Sequence, residues 1–426
     1  MRKTVLVRGP ALSQSGYGEH TRFVLRVLGT REDEFDIHIL PTGWGETGWL
    51  ALNDEERAWI DSRVNKATKH LQAELPYDVT IQITIPNEWQ KMAPVNIGVT
   101  AGIECNKVSP VWLEKANEMS KVITISKHSK SGFDIVYHGR NNQTGRVEEL
   151  QCNTPVEVVG YPVKTFDELS DLGIDLEYDF NFLTIAQWGP RKNLQNLIRW
   201  FVEENIDQEV GLVIKTSLKN NSVVDREYAE KLVKSSIPDL PDRKCKVYFL
   251  HGDMAEDEIH SLYNHPKIKA LVSLTHGEGF GLPLFEAAYS GLPIIAPGWS
   301  GQVDFLYMPF NSKSKKNKNK KKAMFADVDY TISPISPEAV WPGVLEKETM
   351  WCYPTEGSFK IRMRQVRKNY DKWLKKAEQL QEWVLEEFRE EKQYERFLAA
   401  IDFIEDTLPM TEVDQMFKEM SVKKVL

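Results

Sequence analysis

Residues 275–296 read Thr275-His-Gly-Glu-Gly-Phe-Gly-Leu-Pro-Leu-Phe-Glu-Ala-Ala-Tyr-Ser-Gly-Leu-Pro-Ile-Ile-Ala296, and Glu278 and Glu286 stand eight positions apart around a glycine loop that runs into a helix. The apolar run at 268–274 has the length and composition of a buried parallel strand. Pro283 falls where a first helical turn tolerates a missing N–H, Gly291 closes the helix, and 293–296 begins the next strand. The unit is strand, loop, helix, strand.

A loop of this kind leaves main-chain N–H groups unpaired at the positive end of a helix dipole, and Gly277, Gly279 and Gly281 permit a ligand to approach the backbone closely. That suits an anion, but the Glu278 carboxylate repels a phosphate, so a site for phosphate alone would not carry it. A carboxylate is, however, a good double acceptor for sugar hydroxyls. A phosphate-friendly loop with two such carboxylates describes a nucleotide-sugar pocket, with Glu278 facing the transferred sugar and Glu286 the ribose. The competing reading is a tight turn followed by a solvated helix glutamate.

The same alternation extends outward. Apolar runs at 182–186, 210–215, 246–250, 268–274 and 293–296, separated by helical stretches, predict a doubly wound parallel sheet with ligands at the C-terminal ends of its strands. The first half opens with a strand at 4–8, a loop at 9–18 and an amphipathic helix at 19–28, followed by short strands at 79–85, 95–99, 122–125 and 156–159. Residues 161–180 break this rhythm with a proline and several acids and read as a linker. From 359 to about 407 the chain is charged and periodic, with Met363, Val366, Tyr370, Trp373, Leu380, Trp383, Val384, Phe388 and Phe397 marking apolar helix faces.

Glu278-Gly-Phe-Gly-Leu-Pro283 followed by Glu286 resembles the Glu-x7-Glu signature of retaining glycosyltransferases of family four. The resemblance spans most of the chain and is specific over 182–305. It implies an α/β chain of the GT-B fold, with two Rossmann-like doubly wound domains facing a central cleft. The boundaries expected are 1–165 for an acceptor-side domain, 166–180 for the linker, 181–385 for the nucleotide-sugar domain and 386–426 for C-terminal helices crossing back. It also implies transfer of a sugar from a nucleotide diphosphate donor to an acceptor hydroxyl with retention of configuration. No metal and no cofactor beyond the donor substrate are expected.

Charge builds on a leaving diphosphate as the glycosidic bond breaks, so the site needs cationic donors. Ala186-Gln-Trp-Gly-Pro-Arg-Lys-Asn193 follows one strand and precedes a helix; where the family usually carries an arginine just after this strand and a lysine five residues on, this chain has Gln187 and Lys192, leaving Arg191 as a substitute cation. Glu278, Lys192 and Arg191 are therefore the expected catalytic groups. Ser15-Gly-Tyr-Gly-Glu-His-Thr-Arg22 resembles the family's N-terminal glycine loop, which brings Gly16 and Gly18 to the donor phosphates. Lys215 and His276 end strands on the same edge, although His276 equally caps a strand. The expected donor set is Gly16, Gly18, Gln187, Lys192, Lys215, His276, Gly279, Phe280, Gly281, Leu282 and Glu286. In the first half, 97–104 with Trp112 and 122–126 with Phe133 resemble acceptor-domain segments and place Glu104 in the cleft. The histidine many members hold near the reacting sugar has no clear counterpart; His20 is the acceptor-side candidate, with His128 beside it. Asp327-Val-Asp329 resembles the metal-binding pair of the other large glycosyltransferase fold but follows a lysine run, and no metal role is assigned to it. An epimerase of the same fold and a non-catalytic nucleotide-sugar binder are the alternatives.

Composition sets the remaining limits. A chain of 426 residues with 41% hydrophobic and 27% charged residues supplies two ordinary cores. Its net charge of -8 disfavours nonspecific affinity for nucleic acid or anionic membrane over the whole surface. Cys105, Cys152, Cys245 and Cys352 are scattered, with neither zinc-ligand nor disulfide spacing. With no transmembrane run and no signal peptide, a cytoplasmic location is expected. Lys313-Ser-Lys-Lys-Asn-Lys-Asn-Lys-Lys-Lys322 reads as a solvated mobile loop or a dock for a polyanion, so the acceptor stays open between glycan, small molecule, protein and modified nucleic acid.

Overall fold

The computed structural model of the chain describes residues 2–50, 54–140, 146–309 and 321–402. Its first half holds strands β1 (Lys3–Gly9), β2 (Phe35–Pro41), β3 (Val79–Ile83), β4 (Val95–Thr100) and β5 (Lys121–Thr124), an antiparallel pair β6 (Tyr137–Arg140) and β7 (Val147–Leu150), and β8 (Val156–Val158). Six of these form one parallel sheet in the order β2-β1-β3-β4-β5-β8. Every residue of β3 and β4 is buried, as expected of strands covered by helices on both faces. The helices are α1 (Gly16–Gly29), α2 (Glu55–Gln72), α3 (Pro110–Ala116) and α4 (Lys127–Gly132).

Three features depart from the sequence expectation. Helix α1 starts at Gly16, because the Ser15 hydroxyl accepts the Gly18 N–H at 3.0 Å and caps it, so Gly16 and Gly18 are helical rather than loop residues. Strand β2, where Asp36 and His38 alternate with isoleucines, is an edge strand that the apolar-run criterion passes over. Helix α2 buries only Ile60 and Ala67, too little to give an apolar stripe.

The second half contains β9 (Asn181–Ile185), β10 (Gly211–Lys215), β11 (Lys246–Leu250), β12 (Ile268–Val272), β13 (Ile294–Pro297), the antiparallel pair β14 (Tyr307–Pro309) and β15 (Lys321–Ala323), and β16 (Ala326–Val328). A second parallel sheet runs β11-β10-β9-β12-β13-β16. Its helices are α5 (Leu194–Glu204), α6 (Val223–Ser236), α7 (Glu256–Tyr263), α8 (Leu282–Tyr289) and α9 (Val303–Leu306). A hairpin of β17 (Tyr330–Pro334) and β18 (Met350–Pro354) follows, then α10 (Glu356–Lys368), α11 (Tyr370–Glu387) and α12 (Glu390–Ile401). Chain order reverses between β1 and β3 in the first sheet and between β9 and β12 in the second, and the loops leaving such reversals form ligand crevices.

The polybasic stretch lies largely outside the described residues, but Lys321 and Lys322 belong to β15 and pair with Pro309 and Met308, so they are not part of a free loop. Residues 161–180 are without helix or strand yet are packed: Leu176 is 1% exposed and Ser170 bonds Asp257. Two segments reach from the second half onto the first. Helix α12 sets Phe397 edge-on against Phe23 of α1, and Phe397 and Ile401 join the first sheet's core. The β17–β18 hairpin buries Ile335, Val344 and Trp351 in one cluster with Trp89, Val108 and Trp112. At its tip the Gly343 carbonyl accepts from Asn87 at 2.9 Å and from Ser109 at 2.7 Å. No helix among the described residues is long and apolar enough to cross a membrane.

Candidate active site between the two sheets

The loop from β12 to α8 carries the two glutamates, and Gly281, at φ +99°, turns the chain into the helix. Glu278 is 8% exposed. Its carboxylate takes Lys192 Nζ at 2.5 Å on one oxygen and Arg191 Nη1 at 2.9 Å on the other. The second nitrogen of the same guanidinium reaches Glu104 of the first half at 3.2 Å. Four residues expected at the site, two from each sign of charge, therefore meet in one chain running from the second domain to the first.

Burial opposes ionisation of Glu278, but Lys192 and Arg191 outweigh it and hold the acid down to about 2. At Lys192 burial is the larger influence and draws the ammonium below its ordinary range, with Glu278 offsetting it. Burial acts the same way on Arg191, but Glu104 and Glu278 outweigh it and raise the guanidinium. Two carboxylates balance two cations, so the cluster is neutral at rest and offers a diphosphate no surplus charge until Glu278 lets go.

Glu286 lies in the opposite setting. It is half-buried in α8 and accepts the Tyr263 hydroxyl at 2.8 Å. Burial pushes its acid up to about 7, although the Tyr263 hydrogen bond and Lys164 pull the other way. Lys164 itself joins Glu19 of α1 at 3.0 Å to Glu256 of α7 at 2.7 Å.

The glycines act differently from expectation. A Cβ on Gly277 would overlap the Glu104 carbonyl oxygen, and one on Gly279 the Ala101 carbonyl oxygen, so in this arrangement they admit the first domain's backbone rather than a ligand. Gly18 is likewise required by the Ser13 carbonyl behind it, whereas Gly16 faces open space. Phe280 is a core side chain, 3% exposed, among Tyr161, Phe285 and Phe305; only its main chain is left for a donor. Leu282 packs against the same core, and Gly281 lines a small cavity with Thr184, Lys192 and Glu278.

Other expected residues stand outside the cluster. Gln187 is exposed and donates to the Leu218 carbonyl at 2.5 Å, while Lys215 donates to the Gly252 carbonyl at 2.6 Å. His276 is 8% exposed, with Nδ1 at 2.8 Å from the Cys352 carbonyl and its ring stacked on Trp351, so it fastens the β17–β18 hairpin through Nδ1. His20 must be corrected as an acceptor-side residue: it is fully buried against Phe23 and Tyr161, neither ring nitrogen has a partner, and burial drags its pKa down to about 3. His128 pairs with the Cys105 carbonyl at 3.0 Å and lies edge-on to Trp299. Asp327 accepts from the Gly298 N–H and the Tyr307 hydroxyl, and no group of three or more potential metal ligands occurs among the described residues.

Sequence reasoning missed the support beneath the loop. Ser300, at φ +71°, accepts the Glu278 N–H at 2.8 Å, and the Gly301 N–H donates to the Glu278 carbonyl at 2.9 Å. The signal was Gly298-Trp-Ser-Gly301 directly after β13, at the same sheet edge as the glutamates.

Residues 175–306, which contain this whole loop system, match the family model for glycosyl transferases group 1. This part of the chain resembles group 1 glycosyl transferases. Sucrose-phosphate synthase of Spinacia oleracea is 31% identical over 132 residues, 29% of this chain and 12% of that protein. A probable sucrose-phosphate synthase 1 of Citrus unshiu is 30% identical over 130 residues and is likewise covered over only 12% of its length. Among solved structures, HepE of Anabaena in complex with UDP and glucose aligns at a TM-score of 0.56 and 13% identity, covering 94% of this chain and 100% of that one. Sucrose-phosphate synthase of Thermosynechococcus elongatus aligns at 0.60 and 12%, covering 94% and 98%. These likenesses are of fold, and with the two facing parallel sheets they make the chain GT-B. The match ends with α9, so the hairpin that fastens His276 lies beyond it.

Proposed function

We propose that the chain is a glycosyltransferase that moves a sugar from a nucleoside diphosphate donor to an acceptor hydroxyl with retention of configuration and without a metal. The observation that carries this reading is the neutral four-residue cluster of Glu278, Arg191, Lys192 and Glu104 at the strand-order reversal of the second sheet. Donor hydroxyls draw the Glu278 carboxylate away from its two cations, and Arg191 and Lys192 then face the diphosphate. Their charge stabilises the leaving group as the glycosidic bond breaks, the step that dominates such a reaction. Glu286 accepts the ribose hydroxyls from the far end of α8. The two cations fill the place a divalent ion would take on the diphosphate. Glu104, held by Arg191, faces the reacting centre from the acceptor side.

The test uses UDP-glucose, because HepE, a structure of similar fold, holds UDP and glucose. UDP release in the presence of an acceptor panel should survive excess EDTA, and NMR of the product should show the donor's anomeric configuration. Inversion would remove the retaining part of the proposal, and loss of turnover with EDTA the metal-independent part. Release of UDP with an epimerised free sugar would select the epimerase instead.

A further inference from the structure

Residues 42–50 read Thr42-Gly-Trp-Gly-Glu-Thr-Gly-Trp-Leu50, a Thr-Gly-Trp triplet used twice in nine positions. They follow β2 and emerge at the same C-terminal sheet edge as the loop after β1. Five glycine and threonine positions would leave such a stretch loose, yet it is strapped down. The Gln14 N–H donates to the Gly48 carbonyl and the Leu50 N–H to the Leu12 carbonyl, each at 2.9 Å, and Ser13 and Trp49 form an antiparallel bridge. The Ser13 and Thr47 hydroxyls meet at 2.6 Å.

The two tryptophans differ in what this holds. Trp44 is half-buried, its ring 4.1 Å from that of Tyr17. Trp49 is 63% exposed, the most exposed tryptophan among the described residues. The straps fix a bare indole on backbone that has already lost its freedom. Glu46, between the two tryptophans, pairs with Lys219 after β10, so the loop stands where the first domain meets the second. From there Tyr17 bonds Thr100 at 2.8 Å, and the next residue, Ala101, abuts Gly279 in the loop that carries Glu278.

We propose that Trp49 is the floor of an acceptor subsite for a neutral pyranose ring. The C–H face of a pyranose is weakly electropositive and matches the negative face of an indole. The loop at 42–50 contains no lysine or arginine and one glutamate, so it offers nothing to a phosphate backbone or an anionic lipid surface. The placement rests on the transferase reading, because it makes this the acceptor's side of the cleft.

Saturation-transfer NMR on the full chain tests it, with methyl α-D-glucopyranoside, methyl β-D-galactopyranoside and glycerol as probes and UDP present. At least one glycoside, but not glycerol, should receive saturation on its C–H face. Trp49→Ala should weaken that binding about tenfold and Trp49→Phe much less, with UDP saturation the same in all three proteins. Glycoside signals absent from wild type, or equal in wild type and Trp49→Ala, would overturn the subsite. So would Trp49-dependent sedimentation with phosphatidylcholine vesicles in place of any glycoside signal, which would make Trp49 a membrane contact. Absence of UDP saturation counts against the donor reading alone, since the glycoside comparison still decides the subsite.

Discussion

Glu278 and Glu286 share a loop and a helix and are shifted in opposite directions, one down to about 2 by two cations and the other up to about 7 by burial. For Glu286, folding favours the protonated acid, so its contribution to stability is complete below its ordinary 4.5 and is lost as pH rises through about 7. Ribose binding asks for the opposite form, since a carboxylate accepts two hydroxyls and an acid only donates and accepts. UDP affinity of wild type should therefore rise between pH 6 and 8, and Glu286→Gln should flatten that rise; calorimetry across the range measures both. Glu278→Gln separates binding from turnover. It frees Arg191 and Lys192, so bare UDP should bind more tightly while kcat with UDP-glucose falls about 100-fold or more. Because it also leaves two half-buried cations facing one remaining carboxylate, its melting temperature should drop. Weaker UDP binding in Glu278→Gln would contradict the resting neutral cluster.

At the scale of elements, the β12–α8 loop is pressed between Ser300 and Gly301 below and the Ala101–Glu104 backbone above. Gly279→Ala should leave each sheet folded but push the domains apart, read as a larger radius of gyration in small-angle scattering with little change in circular dichroism. An unchanged radius would mean the apposition does not depend on that contact. The β17–β18 hairpin is the second such element. Trp351 is 1% exposed among Trp89 and Trp112, and Trp351→Ala should cost about 3–5 kcal/mol and lower the melting temperature accordingly. The strands were legible because fully buried parallel strands are unbroken apolar runs, and the Glu278 loop because glycines and a proline punctuate it. The amphipathic edge strand β2 and the charged helix α2 gave no such run. The sequence leaves His276 open between a phosphate contact and a strand cap because it stands beside the expected donor loop, whereas its partner, Cys352, is 76 positions away.

At the largest scale, the contacts that tie the two Rossmann-like sheets include α12 on α1, the hairpin on the Trp89–Trp112 cluster, the Glu104–Arg191–Glu278 chain in the cleft and Lys164 between Glu19 and Glu256. Ending the chain after Arg389 should expose Phe23 and lower the melting temperature by several degrees, as loss of a packed Phe397 and Ile401 requires. A truncated chain that melts like the full one would make α12 an appendage. Sequence by itself determined the alternation of strand and helix, the reversal-point loop with Glu278 and Glu286, and the charged partners Lys192 and Arg191, because these follow from local patterning and from chemistry that needs particular side chains in order. Only the tertiary structure decided that Glu278 rests between its cations, that Glu286 is poised near neutrality, that His20 is sealed away and that Gly277 and Gly279 face backbone. Each of those is set by what packs against the residue from elsewhere in the chain, and burial and pairing at long sequence separation leave no mark on local pattern.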